Sequence, residues 1–197
     1  DLCPYPNFLR VVRITGTEAA DWLERAAGIF HQLEPGQPDQ ALTMPDMPTY
    51  NFDLIEGLTY EIDPSAPARF DPSGRLINPD ARRIRNLKHQ GRPVTAQDVF
   101  LVATNSYRAD GGGRFPGCRA DSIVYRSTVH LRSDIETFLR ATGTFVPPLD
   151  PVWRFSALPG TSAVFDAGPG ARVHLPYPGL TVVGPTPDGF LRMRVTL

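Results

Sequence analysis

The feature that most limits what this chain can fold into is Val99–Phe115, where a short apolar run ends against three consecutive glycines. Val99 to Ala103 reads as a strand buried on both faces, because the run has no polar alternation to offer one side to water. The run breaks at Thr104-Asn105. Gly111, Gly112 and Gly113 lack a Cβ, so the backbone can turn sharply there and admit another group at close range. Tyr107 and Phe115 flank the glycines, with Arg108 and Arg114 beside them. A strand end, a glycine turn and flanking rings and guanidinium groups make a platform suited to a flat, polar ligand such as a nucleobase. The same pattern also fits a turn that only reverses the chain, with its rings in the core.

The chain has 197 residues, enough for one large domain or two small ones with a real core. Its net charge is −1 and its basic residues are scattered, which leaves no electrostatic footprint for duplex nucleic acid or an anionic membrane. No apolar run reaches the length of about eighteen residues that a bilayer span needs. Asp1-Leu-Cys-Pro-Tyr5 does not read as a signal peptide, so any such segment is expected to have been removed or to lie on a longer precursor. Cys3 and Cys118 can form one disulfide or remain two ordinary thiols, and spacing does not decide between them.

Taken in order, Phe8 to Ile14 reads as a strand, and Thr15-Gly-Thr-Glu18 opens a helix with hydroxyls at the cap and an acid in the first turn. Trp22, Ala26, Ile29 and Phe30 recur at helical spacing, which puts Trp22 in the core. Residues 31–48 lack a period and read as a long loop. Tyr50 to Ile62 reads as two strands around Gly57, followed by a proline-punctuated loop from Pro64 to Pro79. Arg82 to Lys88 and Val99 to Thr104 read as strands flanking a turn at 89–93. Ile123 to Tyr125 reads as a short strand, and Ser133-Asp-Ile-Glu136 as a capping box for a helix with Ile135, Phe138 and Leu139 on its apolar face. Residues 145–197 read as a Pro/Gly-rich β tail lying against the rest, with runs at Arg172–Leu175, Leu180–Val183 and Phe190–Val195. Few helices among many strands, without βαβ alternation, argue for an α+β fold.

Three long stretches carry a resemblance: Tyr5 to Gly16 (YPNFLRVVRITG), Thr49 to Asp63 (TYNFDLIEGLTYEID) and Phe100 to Gly117 (FLVATNSYRADGGGRFPG). In this order they resemble the C-terminal domain of the 5′-nucleotidase family, and within it the bifunctional 2′,3′-cyclic-nucleotide 2′-phosphodiesterase/3′-nucleotidases. Trp153-Arg154 and the closing strand from Gly189 to Leu197 fit as well, so the resemblance covers essentially the whole chain. It implies a layered domain of sheets between helices. It also implies a hydrolase of nucleotide catabolism, periplasmic or extracellular, whose N-terminal metallophosphoesterase domain holds two divalent metals while the C-terminal domain holds the nucleoside.

The metal motifs of that family (Asp-x-His, Gly-Asn-His-Asp/Glu, His-x-His) do not occur here, and His31, His89, His130 and His174 are isolated from one another. No Gly-x-Ser-x-Gly, phosphate loop or Cys-x-x-Cys is present. The chain by itself is expected to be catalytically silent, with no catalytic or metal residue and no cofactor of its own. The family sandwiches the base between two aromatic rings, and the resemblance assigns the first to Tyr5. The second falls on Tyr107, with Phe115 as the alternative. Asp121 falls where a carboxylate meets the ribose hydroxyls in 5′-nucleotidases, and it also fits an ordinary loop aspartate. Asn105 and Arg108 are candidates to hydrogen-bond base or phosphate, or to fix the turn formed by Gly111, Gly112 and Gly113. The family domain usually begins some tens of residues earlier, so a longer parent is expected. The other reading is a binding module, for a ligand or a protein, that kept the fold without a role in hydrolysis.

Overall fold

A computed structural model describes residues 5–146, 151–168 and 179–197. Strand β1 (Phe8–Thr15) runs directly into helix α1 (Gly16–Ala27). Thr15 Oγ1 accepts from the Glu18 N–H at 3.2 Å, and the Glu18 carboxylate accepts from the Thr15 N–H at 2.8 Å. This capping box satisfies two otherwise orphaned donors, so the helix starts where the sequence places it. The chain continues through β2 (Gln40–Ala41), β3 (Leu58–Ile62), β4 (Ile84–His89), β5 (Arg92–Pro93) and β6 (Val99–Asn105). It then forms α2 (Ser106–Ala109), β7 (Ile123–His130) and α3 (Leu131–Thr142). Strands β8 (Trp153–Phe155), β9 (Ser162–Ala167), β10 (Leu180–Pro185) and β11 (Leu191–Thr196) complete the described elements.

The strands form three sheets. The order β6-β1-β7 is antiparallel throughout, with β1 in the middle. The orders β5-β4-β3-β8 and β10-β11-β9-β2 each contain one parallel pair, β3 with β8 and β2 with β9. One buried cluster draws on all three sheets: Val12 and Ile14 of β1, Leu58, Tyr60 and Ile62 of β3, Ala163 of β9 and Val195 of β11. Trp22, Leu23 and Ala26 of α1 close it. Phe30, Phe52, Trp153 and Phe155 pack mostly edge to face with centroids 5.1–6.1 Å apart, an arrangement that suits the ring quadrupoles.

A buried charged brace fastens α1 to β4. The Glu24 carboxylate accepts from the N–H groups of Arg83 and Ile84 at 2.8 and 2.9 Å. The Arg83 guanidinium donates to the Ala27 and Phe30 carbonyls, capping the end of the helix, and to the Ala66 carbonyl. Burial pushes the Glu24 carboxyl up and the Arg83 guanidinium down to about 10. Both groups are kept because backbone polar atoms that would otherwise be orphaned depend on them.

The α+β architecture expected from the sequence is the one found, and several local expectations need correction. The 99–103 run is not buried on both faces: Leu101 is 68% exposed, because β6 is an edge strand and only Phe100 and Val102 face the core. Tyr50 to Glu56 is not a strand. It begins as a 3-10 turn at Thr49–Asn51, and β3 starts only at Leu58. The Ser133 capping box is unused, since α3 starts one turn earlier with His130 at its N-cap and no side-chain cap bond. No residue of α3 is buried, and among the described aromatic side chains Phe138 meets only Phe145. The expected strand at Arg172–Leu175 and residue His174 lie outside the described residues.

Candidate functional site

The site is built where β6 ends. Asn105 leaves the strand in extended conformation, and its Oδ1 accepts from the Arg108 N–H at 2.8 Å, capping the single turn of α2. The Gly112 N–H then returns to the Tyr107 carbonyl at 2.9 Å, and the Arg114 N–H to the Gly111 carbonyl at 3.0 Å. A Cβ on Gly112 would lie 2.5 Å from the Tyr107 oxygen and 2.6 Å from its ring, so the ring rests directly on a residue that has to be glycine. Gly113 has φ +75°, and a Cβ there would strike the Arg108 guanidinium and the Asn51 side-chain oxygen. Tyr107 itself remains 49% exposed.

Arg108 is the key beneath this turn. It is 4% exposed and grips Asp53 in a two-pronged ion pair, Nε to Oδ2 at 2.7 Å and Nη2 to Oδ1 at 2.9 Å. It also donates to the Tyr50 carbonyl at 3.0 Å, to Asn51 Oδ1 at 3.2 Å and to the Gly112 carbonyl. Its guanidinium carbon lies 3.9 Å from the Phe115 centroid and 5.7 Å from that of Tyr107. Asp53 accepts a further bond from Trp22 Nε1 at 2.9 Å. With its donors spent on the protein, Arg108 fixes the turn and is not placed to bind base or phosphate. Phe115 is 3% exposed against Trp22 and Arg108, so it offers no open face for stacking.

Tyr5 is 73% exposed at the entry to β1. Two residues on, Asn7 Oδ1 accepts from Ser106 Oγ at 3.2 Å, and Ser106 Oγ accepts from the Phe8 N–H at 3.1 Å. Leu9 pairs with Asn105 across the sheet. The segment carrying Tyr5 is therefore fastened to the residue beside Tyr107, and the two exposed rings share one end of the β1–β6 pair. Asp121 lies on the 3-10 turn Ala120–Ser122, exposed and paired with Arg119 Nε at 2.9 Å, and Arg126 bridges the Ala120 carbonyl of that turn to Asp110 beside the glycines. Arg119 also bonds Glu18 of α1, which ties Asp121 to the helix entry.

The sequence reading missed Asn51, Asp53, Trp22 and Ser106 as the supports of this site, and the exposed Tyr50, whose carbonyl Arg108 holds. All but Trp22 and Ser106 fall in the TYNFD run. Only the Thr49–Asp63 resemblance marked that run, and its alternation pointed to a strand.

The described residues do not fit a two-metal centre. Among the described residues no group of three or more His, Cys, Asp or Glu side chains is gathered to hold a metal ion. His130 stacks on Phe8 with centroids 4.5 Å apart, and His89 meets Phe100 edge-on at 5.3 Å. Cys118 is half-buried and its thiol is pushed up to about 12, mainly by burial. Its suggested partner Cys3 lies outside the described residues.

Residues 1–119 match the family model "5′-nucleotidase, C-terminal domain". The chain belongs to that family. It is 40% identical over 168 residues to the trifunctional nucleotide phosphoesterase protein YfkN of Bacillus subtilis (strain 168), covering 85% of this chain and 12% of that protein. It is 42% identical over 166 residues to a 2′,3′-cyclic-nucleotide 2′-phosphodiesterase/3′-nucleotidase of Haemophilus influenzae, covering 81% of this chain and 25% of that protein. The chain thus spans a quarter or less of the length of these relatives. In fold it is similar to a Staphylococcus aureus protein described as a 5′-nucleotidase, with TM-score 0.60 and 23% identity over 77% of this chain and 28% of that one.

Proposed function

We propose that this chain is the nucleotide-holding part of a 2′,3′-cyclic-nucleotide 2′-phosphodiesterase/3′-nucleotidase, with Tyr5 and Tyr107 stacking on the base. The observation that carries the reading is the pair of exposed rings at one end of the β1–β6 pair, one laid on Gly112 and the other tied back through Asn7 and Ser106. A ring seated in this way keeps one face open and loses little freedom on binding, which favours stacking. Asn105 and the Gly111–Gly113 turn shape the seat. Asp121, exposed and paired with Arg119 through Oδ1, is in this reading the carboxylate that meets the ribose hydroxyls. Phe115 acts as the core anchor beneath the site.

In this reading 1–197 work as one nucleotide-specificity unit, with 145–197 as a β-rich tail on it. The two divalent metals and the attacking water belong to an N-terminal metallophosphoesterase domain of the same parent, in the periplasm or outside the cell. The high identity to phosphodiesterase/3′-nucleotidases over four-fifths of the chain supports the assignment. Calorimetric titration with adenosine and 3′-AMP, without metal, tests it. Tyr5→Ala and Tyr107→Ala should each weaken binding at least about tenfold, in keeping with roughly 1–3 kcal/mol per stacked ring. Unchanged affinity in both variants sinks the proposal.

A further inference from the structure

Arg25 of α1 is 1% exposed, and no ion pair to a carboxylate accompanies it among the described residues. A buried cation without a bonded anion is costly, and an apolar side chain of similar length would pack the same space more cheaply. What the guanidinium adds is direction. Its Nε donates to the Gly113 carbonyl at 3.2 Å and its Nη2 to the Pro72 carbonyl at 2.9 Å, while Nη1 lies 3.2 Å from Met47 Sδ. Three loops that are far apart in sequence meet on this one side chain. Burial, followed by the positive charge of Arg108, pushes its pKa down, and Asp71 and Asp53 offset part of that.

Arg25 and Arg108 divide the glycine turn between them. Arg108 takes the Gly112 carbonyl and Arg25 takes the next one, Gly113, while both guanidinium carbons lie within 5.4 Å of the Phe115 centroid. Every described peptide bond is trans, so a Gly112 carbonyl aimed at Arg108 turns the Gly113 N–H the opposite way. That N–H has no partner among the described residues. Two consecutive carbonyls drawn inward thus hold the turn in the one conformation that seats the Tyr107 ring on Gly112.

We infer that Arg25 is a positioning residue for the candidate site: it acts through the Gly113 carbonyl to hold the turn on which Tyr107 rests. This inference rests on the nucleoside-binding reading for its consequence and on the turn geometry for its cause, so two readouts are needed. The first is adenosine affinity of the full chain. The second is the upfield ring-current shift of the Gly112 α-protons, which reports the Tyr107 ring lying over Gly112 with or without ligand.

Arg25→Met should weaken adenosine binding about tenfold, the scale of losing a charge-assisted hydrogen bond, and should collapse the Gly112 shift. In Arg25→Ala, methylguanidinium added to the buffer should restore both, a rescue that a general packing defect would not show. If the wild-type chain binds adenosine and Arg25→Met keeps both its affinity and the Gly112 shift, the positioning role is overturned while the binding reading stands. If Arg25→Met does not fold, Arg25→Lys carries the same comparison, since an ammonium keeps the charge without the guanidinium's reach to all three loops. If the wild-type chain does not bind adenosine, the binding reading falls. The Gly112 shift then decides alone whether Arg25 holds the turn: retention in the variant overturns the inference, and collapse with rescue sustains it.

Discussion

Helices α1 and α3 are each twelve residues long, and both carry apolar side chains at helical spacing, yet the protein uses them in opposite ways. Eight residues of α1 are buried, among them Trp22, Glu24 and Arg25, and none of α3 is. The amphipathic pattern tells which side of a helix is apolar. It does not tell whether anything covers that side. α1 lies against β1, β4 and β6 and carries the supports of the candidate site, whereas α3 leaves from β7, the outer strand of its sheet.

The largest expected effect that would sharpen this contrast is at the two bulky aromatics. Trp22→Ala should cost about 3–5 kcal/mol by urea unfolding, because it opens a cavity in the core and frees Asp53 from one bond. Phe138→Ala should cost less than about 1 kcal/mol. Similar losses in the two variants would break the comparison.

Next is the buried carboxylate that has no counterpart on α3. Glu24→Ala leaves the Arg83 and Ile84 N–H groups unpaired, at about 1–3 kcal/mol each, and Glu24→Gln should recover most of that through its remaining oxygen. The pH dependence has a definite sign. Burial raises the Glu24 pKa, so the folded chain binds this proton more tightly than the unfolded chain does. The contribution is fully present below the unfolded carboxylate value of about 4.3 and is lost as pH rises from there through the folded value. Across that window the wild-type urea midpoint should fall with rising pH relative to that of Glu24→Gln, a difference in which the other carboxylates cancel; parallel profiles would show that Glu24 is not the group responsible.

The smallest effects are at the caps. Thr15→Ala should cost about 1 kcal/mol because it removes a used N-cap. Ser133→Ala should change stability by no more than a few tenths of a kcal/mol, since α3 is capped at His130 without a side-chain bond. Thermal unfolding of the two variants side by side distinguishes a cap that is used from one that is only spelled.

The same division runs through the candidate site. Tyr107 and Phe115 lie on either side of the glycines and look equivalent in the sequence, and the family resemblance left both open. In the fold one ring rests on Gly112 with a face to solvent and the other is sealed between Trp22 and Arg108. Arg108, read as a possible ligand contact, is consumed by Asp53, fifty-five positions away. Nothing in the local pattern of either residue announces that pairing. Tyr50 to Glu56 failed as a strand for a related reason: Asn51 and Asp53 are recruited to Arg108, and the backbone follows its side chains into a turn.

The sequence by itself determined what depends on neighbours along the chain. Thr15 and Glu18 set the start of α1, Asn105 capped α2, and the glycines made a turn that closes onto Tyr107. The three long stretches were enough to name the family. Only the tertiary structure decided which apolar faces are covered, which ring stays open and which charge is spent. Those outcomes rest on contacts between residues dozens of positions apart, and periodicity or spacing carries no record of them.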